Sequence, residues 1–331
     1  QGLAQAVKLW LREHPSPKHH PVTGVPRRIV VCNQKGGVGK SAVAAGTAEA
    51  FAENEDVVVM VDNGLAKTLS ASGIPVDSKR ALARAEEATG MGLRVLLVDY
   101  DPQGHLTKQL GYQHLPTDGD SLAKHMASLQ TRGPIKDLVI KLEDPRFGGR
   151  LDLLPSCQDS FLLDIMISGA RNRQATLERA LEPLERDYDV IVVDCPPSLG
   201  VGMDAAIYYG RRRNGEEQGA SGVLIVVLAE DSSADAYGML IEQIESGKND
   251  FAILVDYLGL VVNMFDARDG FIITSSLKEW LSLGEGHPEV IAVVERLKEQ
   301  REAVRRKQPL LSYAPDCTQA TTMRAIAREG L

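Results

Sequence analysis

Gln34-Lys35-Gly36-Gly37-Val38-Gly39-Lys40-Ser41 lies between an apolar run, Arg28-Ile29-Val30-Val31-Cys32, and an Ala-rich helical pattern from Ala42 to Ala52. Strand, glycine loop and helix in that order make a phosphate-binding P-loop. Its glycines let backbone N–H groups close around phosphate oxygens, its lysine reaches the β- and γ-phosphates, and its serine hydroxyl ligates Mg²⁺. The N-terminus of the following helix adds its dipole to the same anion. Lys40 and Ser41 take the lysine and serine roles, with the backbone amides of Gly37 to Ser41 around the phosphates. A second lysine, Lys35, stands at the front of the loop.

Two further stretches set carboxylates at the ends of apolar strands. One is Leu93-Arg94-Val95-Leu96-Leu97-Val98-Asp99-Tyr100-Asp101-Pro102-Gln103-Gly104, and the other runs from Asp187 through Val190-Ile191-Val192-Val193-Asp194 to Cys195-Pro196-Pro197-Ser198-Leu199-Gly200. Ligands of open parallel sheets bind outside the C-terminal ends of the strands, so these carboxylates belong beside the P-loop. The loop K-G-G-x-G-K-S, the D-x-D-P-Q-G segment and the D-C-P-P-S segment together resemble the ParA/MinD group of deviant Walker A ATPases, and ParA most closely. The resemblance runs from about Arg28 to the C-terminus, interrupted by insertions. Leu151–Ser156 and Leu258–Asp266 match further family strands, and Arg301–Leu310 matches loosely.

The resemblance implies a role for each matching position. Lys35 reaches across a dimer interface to the partner's ATP, where a cation supplied in trans stabilises the charge of the phosphoryl-transfer transition state. Nucleotide contacts span Lys35, Gly36, Gly37, Val38, Gly39, Lys40, Ser41 and Ala42, with Asn263 at the adenine edge and Pro315 flanking the base. Ser41 ligates Mg²⁺, with Asp194 and then Asp99 as outer-shell partners, and Asp101 positions the attacking water. Arg301, Arg305, Arg306 and Lys307 form a basic patch for double-stranded DNA of any sequence, a task that needs positive charge but no base-reading geometry. The implied activity is that of a partition ATPase that dimerises on ATP, holds DNA and is stimulated by a ParB-like centromere-binding protein. A MinD-like membrane ATPase and a nucleotide-gated positioner of another cargo are the alternatives. The segment Thr321–Leu331 has few large apolar residues and no aromatic, so it is expected to pack on the domain rather than on a membrane.

Composition is compatible with this and narrows it. Hydrophobic residues make up 44% of the 331 and charged residues 25%, as in a globular protein with a substantial core. The 37 basic and 45 acidic residues leave a net charge of −8, so any DNA contact needs a local basic patch. No run approaches the roughly 20 apolar residues of a membrane span. Residues 1–13 lack the basic start and continuous apolar core of a signal peptide, so a cytoplasmic protein is expected, and the resemblance implies that it is nucleoid-associated. Four scattered cysteines with no C-x-x-C pair read as buried thiols.

Along the chain, Leu3, Val7, Trp10 and Leu11 fall at helical spacing, and a Pro-rich linker follows to Arg27. Residues 1–27 are thus set apart from one ATPase domain at 28–331, with an insertion at about 54–92. Apolar runs at 28–32, 95–98, 151–154, 190–193, 223–228, 258–262 and 290–294 alternate with helical stretches. This predicts an α/β fold with a doubly wound, mainly parallel sheet flanked by helices. Within the insertion, Val57–Asp62 reads as a strand and Ser78–Thr89 as a helix, an added unit at the sheet edge. The Arg211–Gly219 stretch reads as a solvated flexible loop and a fallback DNA contact.

Overall fold

The computed structural model describes residues 24–61, 69–70, 73, 86–129, 131–230, 232–266, 268 and 270–331. The expected N-terminal helix, its linker up to residue 23 and most of the helix at 78–89 lie outside the described residues.

The strands are β1 (Arg27–Cys32), β2 (Val58–Val61), β3 (Glu86–Thr89), β4 (Val95–Asp99), β5 (Ile140–Lys141), β6 (Leu151–Leu154), β7 (Val190–Asp194), β8 (Gly222–Leu228), β9 (Tyr257–Phe265) and β10 (Val290–Glu295). Eight of them form one sheet in the order β10-β9-β8-β1-β7-β4-β6-β5. Every pairing is parallel except β5 with β6, where a two-residue strand closes the edge antiparallel. All seven apolar runs read from the sequence are strands of this sheet. Their Val/Ile/Leu character follows from burial on both faces: every residue of β4, β6, β7 and β8 is buried.

Side chains alternate across the sheet with the period of two that a strand imposes. In β1, Val30 and Cys32 enter one core layer, while Ile29 and Val31 enter the other. Helix α1 (Lys40–Ala52) covers the second face with Val43, Ala44, Ala48 and Phe51 buried. The later helices are α2 (His105–Gln109), α3 (Leu122–Met126), α4 (Leu163–Ile167), α5 (Thr176–Glu185), α6 (Val201–Tyr209), α7 (Ser232–Asp250), α8 (Phe271–Leu281), α9 (Lys298–Arg306), α10 (Leu310–Tyr313) and α11 (Thr318–Ala325). Leu122, Leu177, Met203 and Leu240, from α3, α5, α6 and α7, join the first layer. Helix α11 lies against α1 as the tail was expected to. A Cβ on Gly46 would come within 2.5 Å of Met323, so this crossing needs glycine. The contact is locked by Arg324, 2% exposed, whose Nε and Nη2 donate to the Glu53 carboxylate at 2.9 and 2.8 Å.

Two expectations are corrected. Residues 86–89 form strand rather than helix, and β2 is not an edge strand of the main sheet. The two pair antiparallel in a separate ribbon, Val58 opposite Thr89 and Val61 opposite Glu86. The ribbon packs on the C-terminal helix through Val59, Val61 and Ala325. Pairing and burial of one face override the weak strand propensity of Glu86-Glu87-Ala88-Thr89.

The arginine stretch is also no solvated loop. Arg211 donates to both oxygens of Glu178 at 3.0 and 3.1 Å, and its guanidinium stacks over Tyr208. Arg212 forks onto Asp256, Arg213 onto Glu185, and Glu216 receives the fully buried Arg28 at 2.8 and 2.7 Å. The counter-charges come from α5 and from the approach to β9, too far along the chain to be paired by reading it. With its arginines half-buried and neutralised, this loop offers DNA no basic patch.

Candidate nucleotide site

The P-loop leaves the C-terminal end of β1, the strand between β7 and β8, and so opens at the centre of the sheet. Gly37 and Gly39 have φ of 78° and 82°, values that glycine adopts without steric cost. At Gly39 there is also no room for a side chain, because a Cβ would collide with Nδ2 of Asn263. That Nδ2 donates to the carbonyl oxygen of Val38 at 2.8 Å, so Asn263 at the end of β9 buttresses the loop itself. Lys40 is 6% exposed and curls back to donate to the carbonyl oxygen of Lys35 at 3.3 Å. Lys35 sits at the rim, its ammonium 3.4 Å from the Glu230 carboxylate that follows β8.

The acidic side of the site is built by strand register. Asp99 and Asp194 are register partners at the ends of β4 and β7, and Asp194 is also opposite Val31 of β1. Thr107 donates to Oδ2 of Asp99 from its amide at 2.7 Å and from its hydroxyl at 2.5 Å, while Oδ1 is buried with no partner. Burial pushes the Asp99 carboxyl up to about 7, opposed by the Thr107 hydrogen bonds. Asp194 is fully buried and neither of its oxygens has a hydrogen bond of good geometry. Burial first, then the neighbouring Asp99, raises its pKa well above the ordinary carboxylate range, while Ser41 and Lys40 act the other way.

Asp101, two residues beyond Asp99, is 6% exposed and accepts the Gln103 amide at 2.9 Å. Its carbonyl oxygen accepts the Ser156 hydroxyl at 2.6 Å, which ties the D-x-D-P-Q-G turn to the end of β6.

The residues fit a divalent cation. Orphaned oxygens on Asp99 and Asp194, with the Ser41 hydroxyl near Asp194, leave acceptor positions unfilled beside the loop, and a cation there would draw the two carboxyls into their ionised form. No cluster of three His, Cys, Asp or Glu side chains placed to hold a metal occurs among the described residues. That donor set suits Mg²⁺, which takes few protein ligands and keeps phosphate and water as the rest.

Beside the loop lies a cavity of about 250 Å³. Ala42, Asn263, Met264, Arg301, Gln319 and Met323 are among its lining residues. Arg301, read from the sequence as part of the basic patch, lines the cavity and is itself exposed, as are Arg305, Arg306 and Lys307 toward and beyond the end of α9. Pro315 is not among the lining residues; its carbonyl oxygen accepts Arg324 at 2.6 Å. Thr107, Ser156, Glu230 and Gln319 are site residues that reading the chain missed. Thr107, Ser156 and Glu230 had a signal, each lying within a few residues of a strand end or strand-end motif already marked; Gln319 had none.

Two family models match the chain. One described as an AAA domain covers residues 78–250, more than half of the sequence, and one described as the CobQ/CobB/MinD/ParA nucleotide binding domain covers residues 29–89. The chain belongs to the ParA/MinD family of P-loop ATPases. An uncharacterised protein of Mycobacterium tuberculosis is 26% identical over 96% of this chain and 82% of its own length. The chromosome partitioning protein ParA of Myxococcus xanthus is 29% identical over 74% of this chain and 67% of its own. Among solved structures, the ATP complex of a Cyanothece McdA variant superposes with a TM-score of 0.63 at 17% identity, covering 92% of this chain and 98% of that one. MinD from Pyrococcus horikoshii, complexed with Mg-ADP, gives 0.57 at 19%, covering 91% and 94%. At these identities the superpositions speak for the fold alone.

Proposed function

We propose that this ParA/MinD-family ATPase is a partition protein: it binds ATP with Mg²⁺, dimerises on it, holds duplex DNA without sequence preference and lets go on hydrolysis to ADP and phosphate. The observation that carries the reading is the meeting of a two-lysine P-loop with Asp99, Asp101 and Asp194 along one edge of the sheet.

Lys40, freed from the Lys35 carbonyl, binds the β- and γ-phosphates together with the loop amides. Ser41 and, through water, Asp194 and Asp99 would hold Mg²⁺, which when bound would neutralise charge on the phosphate oxygens. Asp101 orients the attacking water, its backbone fixed by Ser156. Lys35 leaves Glu230 and supplies positive charge to the partner's phosphates. The cavity beside Ala42 and Asn263 receives the base. Release and turnover are set by a ParB-like partner.

The DNA surface is Arg305, Arg306 and Lys307, exposed around the C-terminal end of α9 and doubled by the dimer. With the Arg211–Arg213 guanidiniums committed to carboxylates, no rival patch arises from that loop. The MinD-like alternative loses support because α11 is buried on α1 rather than free to lie on a membrane.

Co-sedimentation with plasmid DNA and with anionic liposomes, each with and without ATP, tests the reading. ATP-dependent recovery with DNA alone is expected. Recovery with liposomes, or DNA binding indifferent to ATP, contradicts it. If the dimer neutralises about six to eight phosphates, log affinity falls with log salt at a slope of roughly −5 to −7.

A further inference from the structure

Gln319, in the first turn of α11, lines the cavity beside the P-loop and is 6% exposed. One end of its carboxamide is pinned: Nε2 donates to the carbonyl oxygen of Glu295, the last residue of β10, at 2.9 Å. The other end, Oε1, is buried and has no hydrogen-bond partner. Asn263, also lining the cavity, has turned one N–H onto Val38. Each carboxamide is thus anchored through one N–H to a backbone carbonyl, and in Gln319 the oxygen is the buried group left without a partner. The guanidinium of Arg301 can only donate, so it cannot meet an amino group. Met264, Val294, Leu297 and Met323 supply apolar wall, as a flat heteroaromatic ring requires.

We propose that Gln319 is the base-selecting residue of this ATPase: its Oε1 accepts a hydrogen bond from the exocyclic amino group of adenine. The proposal rests on the reading of the cavity as the base pocket. A buried acceptor left unpaired costs about 1–3 kcal/mol, which a ligand N–H recovers. A purine with a carbonyl at the same position sets lone pair against lone pair and recovers nothing. The Glu295 contact fixes the carboxamide, so it cannot turn to offer a donor without giving up that bond.

ATP and ITP differ at this position by an amino group against a carbonyl, and ITP carries no other amino group. Their dissociation constants, measured by competition with a fluorescent ATP analogue in Mg²⁺, are the test. The parent protein is expected to favour ATP by about tenfold or more. Gln319→Leu and Gln319→Met are expected to bring the ratio to within about twofold by weakening ATP while ITP stays put, so that ITP binding also reports an intact fold. Equal affinities in the parent, or a preference that survives both substitutions, would overturn the proposal. Ala42→Leu, which fills the cavity, separates it from the reading beneath: ATP and ITP should weaken together. If neither changes, the base lies elsewhere and the pocket reading falls with the proposal.

Discussion

Each of the two P-loop lysines is held by a contact the nucleotide would have to replace. The Lys35–Glu230 pair is long and part-exposed, 27% and 41% for the two side chains, a class of ion pair worth about 0–1 kcal/mol. That pair by itself would oppose a move of Lys35 to a partner's phosphate only weakly. Lys40→Ala is expected to lose ATP binding, whereas Lys35→Ala should keep it and fail to turn over; equal loss of ATP affinity in both would remove the role in trans. Asp101→Ala should bind ATP but hydrolyse it at least about a hundredfold more slowly, since only water positioning is lost. Normal steady-state turnover by that variant would show that another carboxylate does the work. Glu49 gives a pH test away from the site. It is fully buried in α1, accepts the Leu311 amide at 2.9 Å, and burial lifts its carboxyl to about 7. The folded state thus holds a proton that the unfolded chain gives up from about 4.5 upward, so this residue lowers stability as pH rises from about 4.5 to 7. Glu49→Gln should be near-neutral at pH 4.5 and stabilising above pH 7, by on the order of 2–3 kcal/mol, in thermal unfolding across that range. A constant difference across the range would contradict it. Lys35, Lys40, Ser41 and the three aspartates were legible because their types sit at fixed offsets from a strand end. Gln319 was not, because its meaning depends on the Glu295 carbonyl and on β9 across the cavity.

Among the elements, the seven long strands of the main sheet were readable because parallel strands buried on both faces leave continuous apolar runs. β5, two residues long, leaves no run to see. β3 was misread because Glu86-Glu87-Ala88-Thr89 has no pattern of its own and takes strand form only against β2. The Arg211–Gly219 loop shows the same limit for charge: its arginines find their partners on α5 and before β9. Arg213 is held by Glu185 and Glu178 with side chains no more than about a fifth exposed. Removing it strands Glu185, while Glu178 keeps Arg211, so Arg213→Ala should cost about 2–4 kcal/mol in denaturant unfolding while leaving DNA binding unchanged. Loss of DNA binding with unaltered stability would return this loop to candidacy as the DNA surface. At α9 the expectation is the reverse: changing Arg305 and Arg306 together to Glu should abolish DNA binding with basal ATPase activity kept, because both are exposed beyond the cavity-lining Arg301. Unchanged binding by the double variant would move the patch to another face.

On the scale of the whole molecule, the P-loop, the three aspartates and the Lys35 rim gather at the C-terminal edge of the sheet, while the arginine knot around Arg28 closes the opposite end. That polarity leaves the functional edge open; under the proposed function, a second copy docking there would bring Lys35 to the first copy's phosphates and align two α9 patches on one DNA. Net charge of −8 gives the proposed gating its physical reason: a single patch of three cations on an acidic protein is a poor DNA ligand, and two acting together would be a better one. Sedimentation velocity of Asp101→Ala, with and without ATP and Mg²⁺, tests this most directly, because blocked turnover preserves the nucleotide-bound state. A monomer without nucleotide that becomes a dimer with ATP, and stays monomeric when Lys35→Ala is added, is the predicted result. One species at all nucleotide conditions, or a dimer indifferent to Lys35, would contradict the account.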